Sequence, residues 1–498
     1  MKKCILVLML TAIVFSATAK IELAAPFSDG MVLQRGMKVP VWGRIVPEPN
    51  SSLARPVTVK FARQAKTAWA DPVTGRWKVE LDPMEASKSG RTLTVVEETG
   101  VWLADLFGSP VDTVEVMDVL VGEVWFASGQ SNMECPIWGG SPHYRDGQGA
   151  MIVQMTVRPW VRLVKTPRVS SATPKLDVEA VWKPMTPTGM VCEKGARLPS
   201  AVGYLFALEL ADALDVPIGL VDSSWGGTGI DGWTPRSGYE GIAALKDVAA
   251  KADTGELWNG MVAAYAPMAI RGLIWYQGCA DAHESGRYCD KMHALYGGWS
   301  KEFANPGLKL YFVQLAPYGD GWYDMNLAQA KFEREEPNAA MAVVNDVGCL
   351  TDIHPNDKRT VARRLALHAL RRDYGFDWIV DNSPTLKSWR VDGNRFVLSF
   401  NDVREWYLYN TDWSVRNGFE VCGADGVWKA ATIDGLAGTE EAGRRHGKCT
   451  GNVAGADLVI YADGVKDPVG LRYLFRKTWA GNLYSESALP LGAFEISR

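Results

Sequence analysis

The chain has 498 residues, of which 47% are hydrophobic and 22% charged, a composition typical of a multidomain globular protein. Its formal net charge of −4 comes from 53 basic and 57 acidic residues, and no block of like charge stands out. Because nucleic acids and anionic membranes attract a basic surface, this balance argues against both as partners.

The first nineteen residues, 1–19, predict an export signal. Lys2 and Lys3 precede the apolar stretch CILVLMLTAIVFS, and Ala17-Thr18-Ala19 matches a small-residue cleavage site. The apolar stretch is short for a bilayer span, and no later segment approaches one. We therefore expect a periplasmic or secreted mature chain without a membrane span. A buried N-terminal strand or helix is the alternative.

Residues 20–118 predict an N-terminal β domain. Their candidate strands alternate polar and apolar residues or carry β-branched ones, and Asp71-Pro72 and Thr74-Gly75 are turn signals between them. These strands are PVTVKFA, RWKVELD and RTLTVVEE. Short strands of this kind favour a β-sandwich.

Residues 119–385 alternate between strands and helices. The predicted strands are VEVMDVLVGEVWFAS, VPIGLVDSS, RGLIWYQG and LKLYFVQLAPYG, and the predicted helices are SAVGYLFALELADAL and DKRTVARRLALHALRRDYG. This order predicts an α/β domain with a parallel sheet covered on both faces. From residue 386 to 498, segments such as RFVLSF and ADLVIYADG predict a C-terminal β region.

Cysteine usage does not indicate a disulfide scaffold. Seven cysteines follow the predicted cleavage site, so at least one thiol stays unpaired. Cys422 and Cys449 are candidates for a disulfide, which the sequence leaves open. No C-x-x-C pair is present to indicate zinc.

Ser131 is the candidate nucleophile, in the stretch GEVWFASGQSNMEC. It follows a predicted strand of the α/β domain, and open α/β sheets bind ligands at the carboxyl ends of their strands. Ser131 and Glu134 also fit the S-x-x-E capping box, which begins a helix without any chemistry and is favoured by this stretch alone. Met133 stands where G-x-S-x-G needs its second glycine, which argues against an α/β-hydrolase elbow.

His354 is the strongest candidate for the general base among six histidines. It lies in TDIHPNDK, before an amphipathic helix that Pro355 is predicted to start. Asp352 is placed to accept from the ring Nδ1–H, with Asp346 as a rival acceptor. Alternatively, Asp352 caps the helix and His354 is a surface residue. The remaining histidines considered are His283, a weaker base candidate, and His368, expected to be structural.

Two further strand ends offer donors for an oxyanion. The stretch SSWGGTGIDGW supplies Gly226, Gly227 and Gly229, whose backbone N–H groups can approach a ligand closely. A plain strand-to-helix turn is the alternative. The stretch IWYQGCADA places the Gln277 amide at the next strand end, either as a donor or as a buried group that satisfies loop backbone. Together with Ser131 and the Asp/His pair, these groups indicate a serine hydrolase.

Ordered stretches of the chain resemble the sialate O-acetylesterase family of SGNH-type hydrolases, almost from residue 24 to 495. They are MVLQRGMKVPVWG, GEVWFASGQSNM, SAVGYLFALELADALDVPIGLVDSSWGGTGIDGW, WNGMVAAYAPMAIRGLIWYQG, DIHPNDKRTVARRLA and NLYSESALP. The resemblance implies a three-layer α/β/α catalytic domain and a serine esterase that removes acetyl groups from sugar hydroxyls. O-acetylated sialic acid is the expected substrate, and no metal or organic cofactor is implied.

Carried over position by position, the resemblance implies Ser131 as nucleophile, His354 as base and Asp352 as the orienting acid. The N–H groups of Ser131 and Gly227, with the Gln277 amide, would form the oxyanion hole.

The chain departs from the family pattern at two cysteines. In WYQGCADA, Cys279 and Ala280 replace the Glu and Ser of the usual WYQGES, and Cys349 stands where members often carry an acid. The altered stretch makes a carbohydrate-binding protein with a decayed site one alternative. A polysaccharide acetylesterase acting on acetylated xylan is another, because the sugar is bound by loops whose shape the sequence does not reveal. The tryptophans in or near candidate loops are predicted either to stack on sugar or to belong to the core: Trp138, Trp225, Trp233 and Trp322.

Overall fold

The computed structural model describes residues 20–46, 55–97, 112–137, 158–179, 181–186, 198–319, 322–348, 351–409, 418–435, 449–475 and 481–498. The predicted export signal, Trp138 and Cys349 lie outside these ranges. Among the described residues, none of the helices combines the length and the apolar character that a membrane crossing requires.

The N-terminal region is built from strands that pair mostly antiparallel. They are β1 (Lys20–Leu23), β2 (Val32–Gln34), β3 (Val39–Val46), β4 (Pro56–Phe61), β5 (Gln64–Trp69), β6 (Arg76–Leu81) and β7 (Ser87–Glu97). Strands β1, β3 and β6 form one sheet, while β4 pairs with β5 and β7. The alternating burial of β6 follows its alternating sequence, since successive side chains of a strand point to opposite faces.

One long strand, β8 (Thr113–Gly129), joins the N-terminal region to the rest of the molecule. Its first half pairs antiparallel with β7, and its second half lies in the central parallel sheet. The predicted boundary between residues 118 and 119 falls inside this strand, at a shift of register where Asp118 has φ of +55°. The two regions therefore share a strand, and their buried side chains form one core.

The central sheet has the order β10-β9-β11-β8-β12-β13-β14. Its further strands are β9 (Val161–Lys165), β10 (Lys183–Pro184), β11 (Ile218–Ser224), β12 (Gly272–Tyr276), β13 (Lys309–Val313) and β14 (Ala339–Ala342). All pairings along this path are parallel except that of β10 at the edge. The predicted α/β architecture is confirmed as a mixed sheet whose parallel strands are buried.

Helices connect these strands. They are α1 (Ser131–Glu134), α2 (Ala201–Leu214), α3 (Ile230–Trp233), α4 (Lys246–Ala249), α5 (Glu256–Met261), α6 (Ser285–Glu302), α7 (Tyr323–Glu335) and α8 (Lys358–Tyr374). Short 3₁₀ turns span Arg236–Tyr239, Ala243–Leu245, Ala263–Tyr265 and Cys279–Glu284. Both long helices predicted from the sequence, α2 and α8, are confirmed.

Helix α8 corrects one prediction about its start. It begins after Asp357, whose carboxylate accepts the backbone N–H of Thr360 at 2.9 Å, and not at Pro355. The cap is therefore Asp357, and the interpretation of Asp352 as the helix cap is wrong. Helix α8 ends at Gly375, which adopts φ of +74°, as its position past the last turn predicts.

The C-terminal region forms three small sheets, ordered β15-β16-β22-β20, β21-β17-β24 and β19-β18-β23-β25. Its strands are β15 (Thr385–Asp392), β16 (Arg395–Asn401), β17 (Glu405–Tyr409), β18 (Phe419–Gly423), β19 (Trp428–Ala430), β20 (Thr432–Ile433), β21 (Cys449–Ala454), β22 (Asp457–Tyr461), β23 (Pro468–Tyr473), β24 (Leu483–Ser485) and β25 (Phe494–Ser497). They enclose a core of their own. Cys422 is a buried free thiol, and the Cys449 side chain lies outside the described set.

Candidate active site

Four segments meet at the carboxyl edge of the central sheet. Ser131 begins α1 directly after β8, Gly226 and Gly227 follow β11, Gln277 follows β12, and His354 lies in the loop before α8. Because the carboxyl ends of parallel strands share one edge, residues far apart in sequence come together there.

The Ser131 hydroxyl and the His354 ring are in hydrogen-bond contact. The distance from His354 Nε2 to Ser131 Oγ is 2.9 Å. On the other side of the ring, His354 Nδ1 lies 3.6 Å from Asp352 Oδ1, and the backbone N–H of His354 donates to the same oxygen at 2.8 Å. The side chains of His354 and Asp352 are 26% and 28% exposed, so solvent and substrate can reach them. The arrangement is that of a nucleophile, a base and an orienting acid.

The rival acid, Asp346, is engaged elsewhere. Its two oxygens accept from the Arg364 guanidinium at 2.6 and 2.7 Å, and the Tyr484 hydroxyl donates to it at 3.1 Å. This ion pair is buried, with side chains 8% and 9% exposed. A bidentate pair of this kind fixes both partners, so Asp352 is the better candidate for the acid.

The capping-box interpretation of Ser131 is wrong. Helix α1 has only four residues, its N-cap is Gln130, and that cap makes no side-chain hydrogen bond to the helix. Glu134 instead pairs with Arg168 and accepts the backbone N–H of Gly226 at 2.8 Å. Glu134 thus holds the glycine loop against the serine, and a Cβ on Gly226 would lie 3.2 Å from Ser131 Cβ.

Two backbone N–H groups are placed for an oxyanion. Ser131 is the first residue of α1, so its N–H has no intrahelical acceptor. Gly227 is exposed and adopts φ of +77°, a conformation that favours glycine. Within the described ranges neither N–H donates to another protein group. Both therefore stay available to a developing negative charge.

Gln277 is not placed as an oxyanion donor, and this corrects the prediction. Its side chain is fully buried, and its amide N–H groups donate to Thr228 O at 3.1 Å and Asp281 Oδ2 at 2.5 Å. Its Oε1 accepts from the Tyr288 hydroxyl at 2.8 Å, which fixes the orientation of the amide. Gln277 satisfies loop backbone instead, which was the alternative that the sequence left open.

Asp281 extends this buried support into a charged cluster. Lys291, which is 1% exposed, donates to Asp231 at 2.9 Å and to Asp281 at 3.5 Å, and also pairs with Glu284. Burial lowers the pKa of Lys291, but its hydrogen bonds to Glu284 and Asp231 outweigh burial and raise it. These three carboxylates have the spacing of a metal site, but the ammonium group of Lys291 lies among them.

A second buried pair links the serine to the histidine loop. Asn132 donates from Nδ2 to Ile353 O at 3.0 Å, and Lys358 donates from Nζ to Asn132 Oδ1 at 2.5 Å. Asn132 follows Ser131 and Ile353 precedes His354, so the pair fixes one relative to the other. Lys358 is fully buried, and burial lowers its pKa to about 8. The sequence analysis missed this pair, although Asn132 stands beside the predicted nucleophile.

The tryptophans separate into two environments. Trp225 is half-buried beside Gly226, and the Arg168 guanidinium lies 5.8 Å from its ring centroid. Trp233 is fully buried and donates from Nε1 to Thr228 Oγ1 at 2.9 Å, so its predicted contact with sugar is wrong. Trp322 is half-buried and stacks on Tyr318 with ring centroids 6.0 Å apart.

The loop that contains Cys279 is held by hydrogen bonds from its backbone. Burial raises the pKa of Cys279 to about 12, so the thiol stays protonated at neutral pH. The backbone N–H groups on either side, of Gly278 and Ala280, donate to Gln130 Oε1 at 3.1 and 3.2 Å. The loop after β12 is therefore held by the residue that precedes Ser131.

The chain is similar in sequence and structure to known carbohydrate acetylesterases. The profile of the family described as "Carbohydrate esterase, sialic acid-specific acetylesterase" matches residues 121–370. The sialate O-acetylesterase of Homo sapiens is 30% identical over 403 residues, which cover 72% of this chain and 72% of the human protein. The sialate O-acetylesterase of Mus musculus is 28% identical over 462 residues, which cover 80% of this chain and 82% of the Mus musculus protein. A solved carbohydrate acetylesterase from Xanthomonas citri superposes with a TM-score of 0.78 at 30% identity, covering 96% of this chain and 99% of that one.

Proposed function

Because the chain belongs to the carbohydrate esterase family of sialic acid-specific acetylesterases, we propose that it removes O-acetyl groups from carbohydrate by serine catalysis, with O-acetylated sialic acid as its substrate. The protein is a carboxylic ester hydrolase. In the proposed mechanism Ser131 is the nucleophile, His354 the general base and Asp352 the orienting acid. The N–H groups of Ser131 and Gly227 bind the oxyanion.

The 2.9 Å contact between Ser131 Oγ and His354 Nε2 is the observation that carries this proposal. A serine hydroxyl is a weak nucleophile, and it needs a base within about 2.6–3.2 Å to remove its proton. His354 meets that requirement, while Asp352 lies on the opposite side of the ring. A hydroxyl that only began a helix would have no reason to face an imidazole in this way.

Acylation begins when Ser131 Oγ attacks the acetyl carbonyl carbon and passes its proton to His354 Nε2. The carbonyl oxygen becomes an oxyanion next to the two backbone N–H groups, and one such donor lowers the barrier by roughly 3 kcal/mol. When the tetrahedral intermediate collapses, His354 gives the proton to the departing sugar oxygen. The products of this step are the free sugar hydroxyl and an acetyl group bound to Ser131.

Deacylation repeats the sequence with water as the nucleophile. His354 takes a proton from the water, the resulting hydroxide attacks the acetyl-enzyme, and the same N–H groups hold the second oxyanion. Return of the proton to Ser131 Oγ releases acetate and restores the site. Asp352 stabilises the imidazolium that forms twice in the cycle.

Trp225 is the residue that we propose for contact with the sugar. It is half-buried, it follows β11 next to Gly226, and aromatic rings supply rigid apolar surface to ligands. Trp138, which lies outside the described residues, was predicted for the same role.

Parallel acetate-release assays test the substrate proposal. O-acetylated sialic acid and acetylated xylan are compared at equal acetyl concentration, beside an activated acetyl ester that reports catalytic competence alone. A higher kcat/KM on the sialic acid is expected. Faster release from xylan would make the protein a polysaccharide acetylesterase. Sugar binding without hydrolysis of any of the three esters would favour a binding protein with a decayed site.

We also propose that the protein acts in the periplasm or outside the cell, on the basis of the export signal predicted in residues 1–19. Expression of the full chain in a bacterial host tests this directly. Mass spectrometry of the periplasmic fraction is expected to find a mature N terminus at residue 20. Uncleaved protein retained in the cytoplasm would contradict it.

A further inference from the structure

Three side chains of different chemistry converge where α6 passes α7, away from the active-site loops. Cys289 and His293 are four residues apart on α6 and therefore project from the same face of the helix. Glu335 is the last residue of α7. Glu335 Oε2 lies 3.3 Å from Cys289 Sγ and 3.1 Å from His293 Nε2, and one ligand atom from each residue lies within 4.8 Å of the others.

These separations fit the coordination shell of a zinc ion. Zinc binds sulfur at about 2.3 Å, and nitrogen and oxygen at about 2.0–2.1 Å, in a tetrahedron. Neighbouring ligand atoms of such a tetrahedron are about 3.3–3.6 Å apart. The 3.1 and 3.3 Å distances to Glu335 Oε2 are within a few tenths of an ångström of that spacing. Small rotamer changes would therefore bring Glu335 to a coordinating distance from an ion held by Cys289 and His293.

The donor set also selects the metal. A thiolate, an imidazole and a carboxylate together suit borderline Zn²⁺ better than Mg²⁺ or Ca²⁺, which prefer oxygen ligands alone. Three protein ligands on two helices leave a fourth position for water. The Cys289 side chain is buried, whereas those of His293 and Glu335 are 31% and 45% exposed, so an ion can enter from the solvent side.

The neighbouring charges leave room for a cation. Lys331 Nζ lies 3.8 Å from Glu335 Oε1, the oxygen that does not contact Cys289 or His293. This differs from the cluster of Asp231, Asp281 and Glu284, where the buried ammonium group of Lys291 already occupies the position of a cation.

We propose that Cys289, His293 and Glu335 form a zinc site that joins α6 to α7. Binding replaces the thiol proton of Cys289 with a bond to the metal and releases that proton to solvent. Cys289 also lines a cavity of about 820 Å³ between α7 and the C-terminal strands.

The sequence gives little warning of this site. Cys289 and Glu335 are 46 positions apart, and the pattern contains no C-x-x-C pair. The site takes no part in the proposed ester hydrolysis, because its residues belong to α6 and α7 and not to the loops around Ser131. Its test is therefore independent of whether the protein turns over an ester.

Titration of the metal-free full-length protein with Co²⁺ tests the proposal. One Co²⁺ per chain is expected to give thiolate-to-cobalt charge-transfer absorption, which Zn²⁺ then displaces. Cys289→Ser is expected to abolish the band, and His293→Ala and Glu335→Gln to weaken binding at least about tenfold. Cys422→Ala and His283→Ala, which lie outside the cluster, are the matched controls and are expected to leave the band intact.

Two results would overturn the proposal. One is the absence of a charge-transfer band from the folded wild-type protein, as judged by circular dichroism. The other is a band that survives in Cys289→Ser.

A stability measurement supplies a second test, which does not rely on the absorption of the cobalt–thiolate bond. Zn²⁺ at about a hundred times the wild-type Kd is expected to raise the Tm of the wild type and to raise that of His293→Ala by no more than about half as much. Equal shifts in both proteins would count against the site.

Discussion

Two sets of polar side chains lie at the same edge of the sheet in opposite environments. Ser131, His354 and Asp352 are partly exposed and form a line toward solvent. Behind them, Gln277 and Lys358 are fully buried and bonded to other protein groups. Buried polar groups must form hydrogen bonds with other protein groups, so Gln277 and Lys358 serve to hold the loops in place. Exposure and available hydrogen-bonding capacity, more than residue type, therefore distinguish the side chains proposed to react from those that hold the loops in position.

Replacing Ser131 is expected to have the largest effect of any single change. Ser131→Ala removes the nucleophile and leaves the buried support intact, so kcat on an activated acetyl ester should fall by about 10⁶-fold with unchanged Tm. Thr228→Ser, in the glycine loop, is a conservative control that should retain most activity. Residual turnover of more than about one per cent in pure Ser131→Ala would show that another group can act as nucleophile.

Asp352 and Asp346 are expected to respond differently to the same substitution, because one is partly exposed and the other is buried in an ion pair. Asp352→Asn is expected to lower kcat by roughly 10³- to 10⁴-fold, because it removes the charge that stabilises the imidazolium, with little change in stability. Asp346→Asn breaks the buried pair with Arg364 and is expected to cost about 3 kcal/mol of unfolding free energy, with kcat of the folded enzyme retained. Urea unfolding and steady-state kinetics on both variants check this. The reverse pattern would make Asp346 the acid.

The two tryptophans provide the same contrast for substrate binding. Trp233→Ala is expected to destabilise the fold by roughly 3–5 kcal/mol, because it empties a fully buried site. Trp225→Ala should raise KM for the acetylated sugar about tenfold while leaving kcat on a small activated ester unchanged. Equal losses on both esters from Trp225→Ala would indicate that its ring positions the catalytic loop and does not contact the sugar.

The buried Lys358 is expected to make the free energy of unfolding depend on pH. Its pKa is about 8 in the folded protein against an ordinary value of 10.5, so the unfolded chain binds more protons between these values. Stability relative to Lys358→Met is therefore expected to increase from pH 8 to about 10.5, by roughly 3 kcal/mol in total. Below pH 8 the full cost of burying the charge is present. Urea unfolding of both proteins at about pH 7 and about pH 10 measures this difference. A difference that does not change with pH would mean that Lys358 keeps its ordinary pKa.

Much of the fold could be predicted from local sequence. Helices α2 and α8 and the strands β11, β12 and β13 occur where their apolar periodicity places them. The boundary at residue 118 was less predictable, because β8 belongs to two sheets at once. Periodicity reports which residues are buried, and not which partner strand buries them.

The exposed residues of the candidate active site could be predicted from the sequence, whereas the role of the buried Gln277 was predicted wrongly. Ser131, His354 and Asp352 carry signals in their own loops, and the structure brings them together. The environment of Gln277 depends on Asp281, which folds back in a 3₁₀ turn to take one of its N–H groups. This hydrogen bond forms only in the tertiary structure, so the sequence at the end of one strand does not reveal it. Cys289 and Glu335 also come together only in the tertiary structure, because α6 packs against α7.

Covalent labelling distinguishes an activated Ser131 from an unreactive one. A phosphonate that reacts with activated serine hydroxyls is incubated with the folded protein, and the adduct is mapped by peptide mass spectrometry. One adduct per chain on Ser131 is expected, forming at least about 10³-fold more slowly in His354→Ala. An adduct on a different serine, or an unlabelled Ser131 in a protein that hydrolyses acetyl esters, would contradict the assignment of Ser131 as the nucleophile.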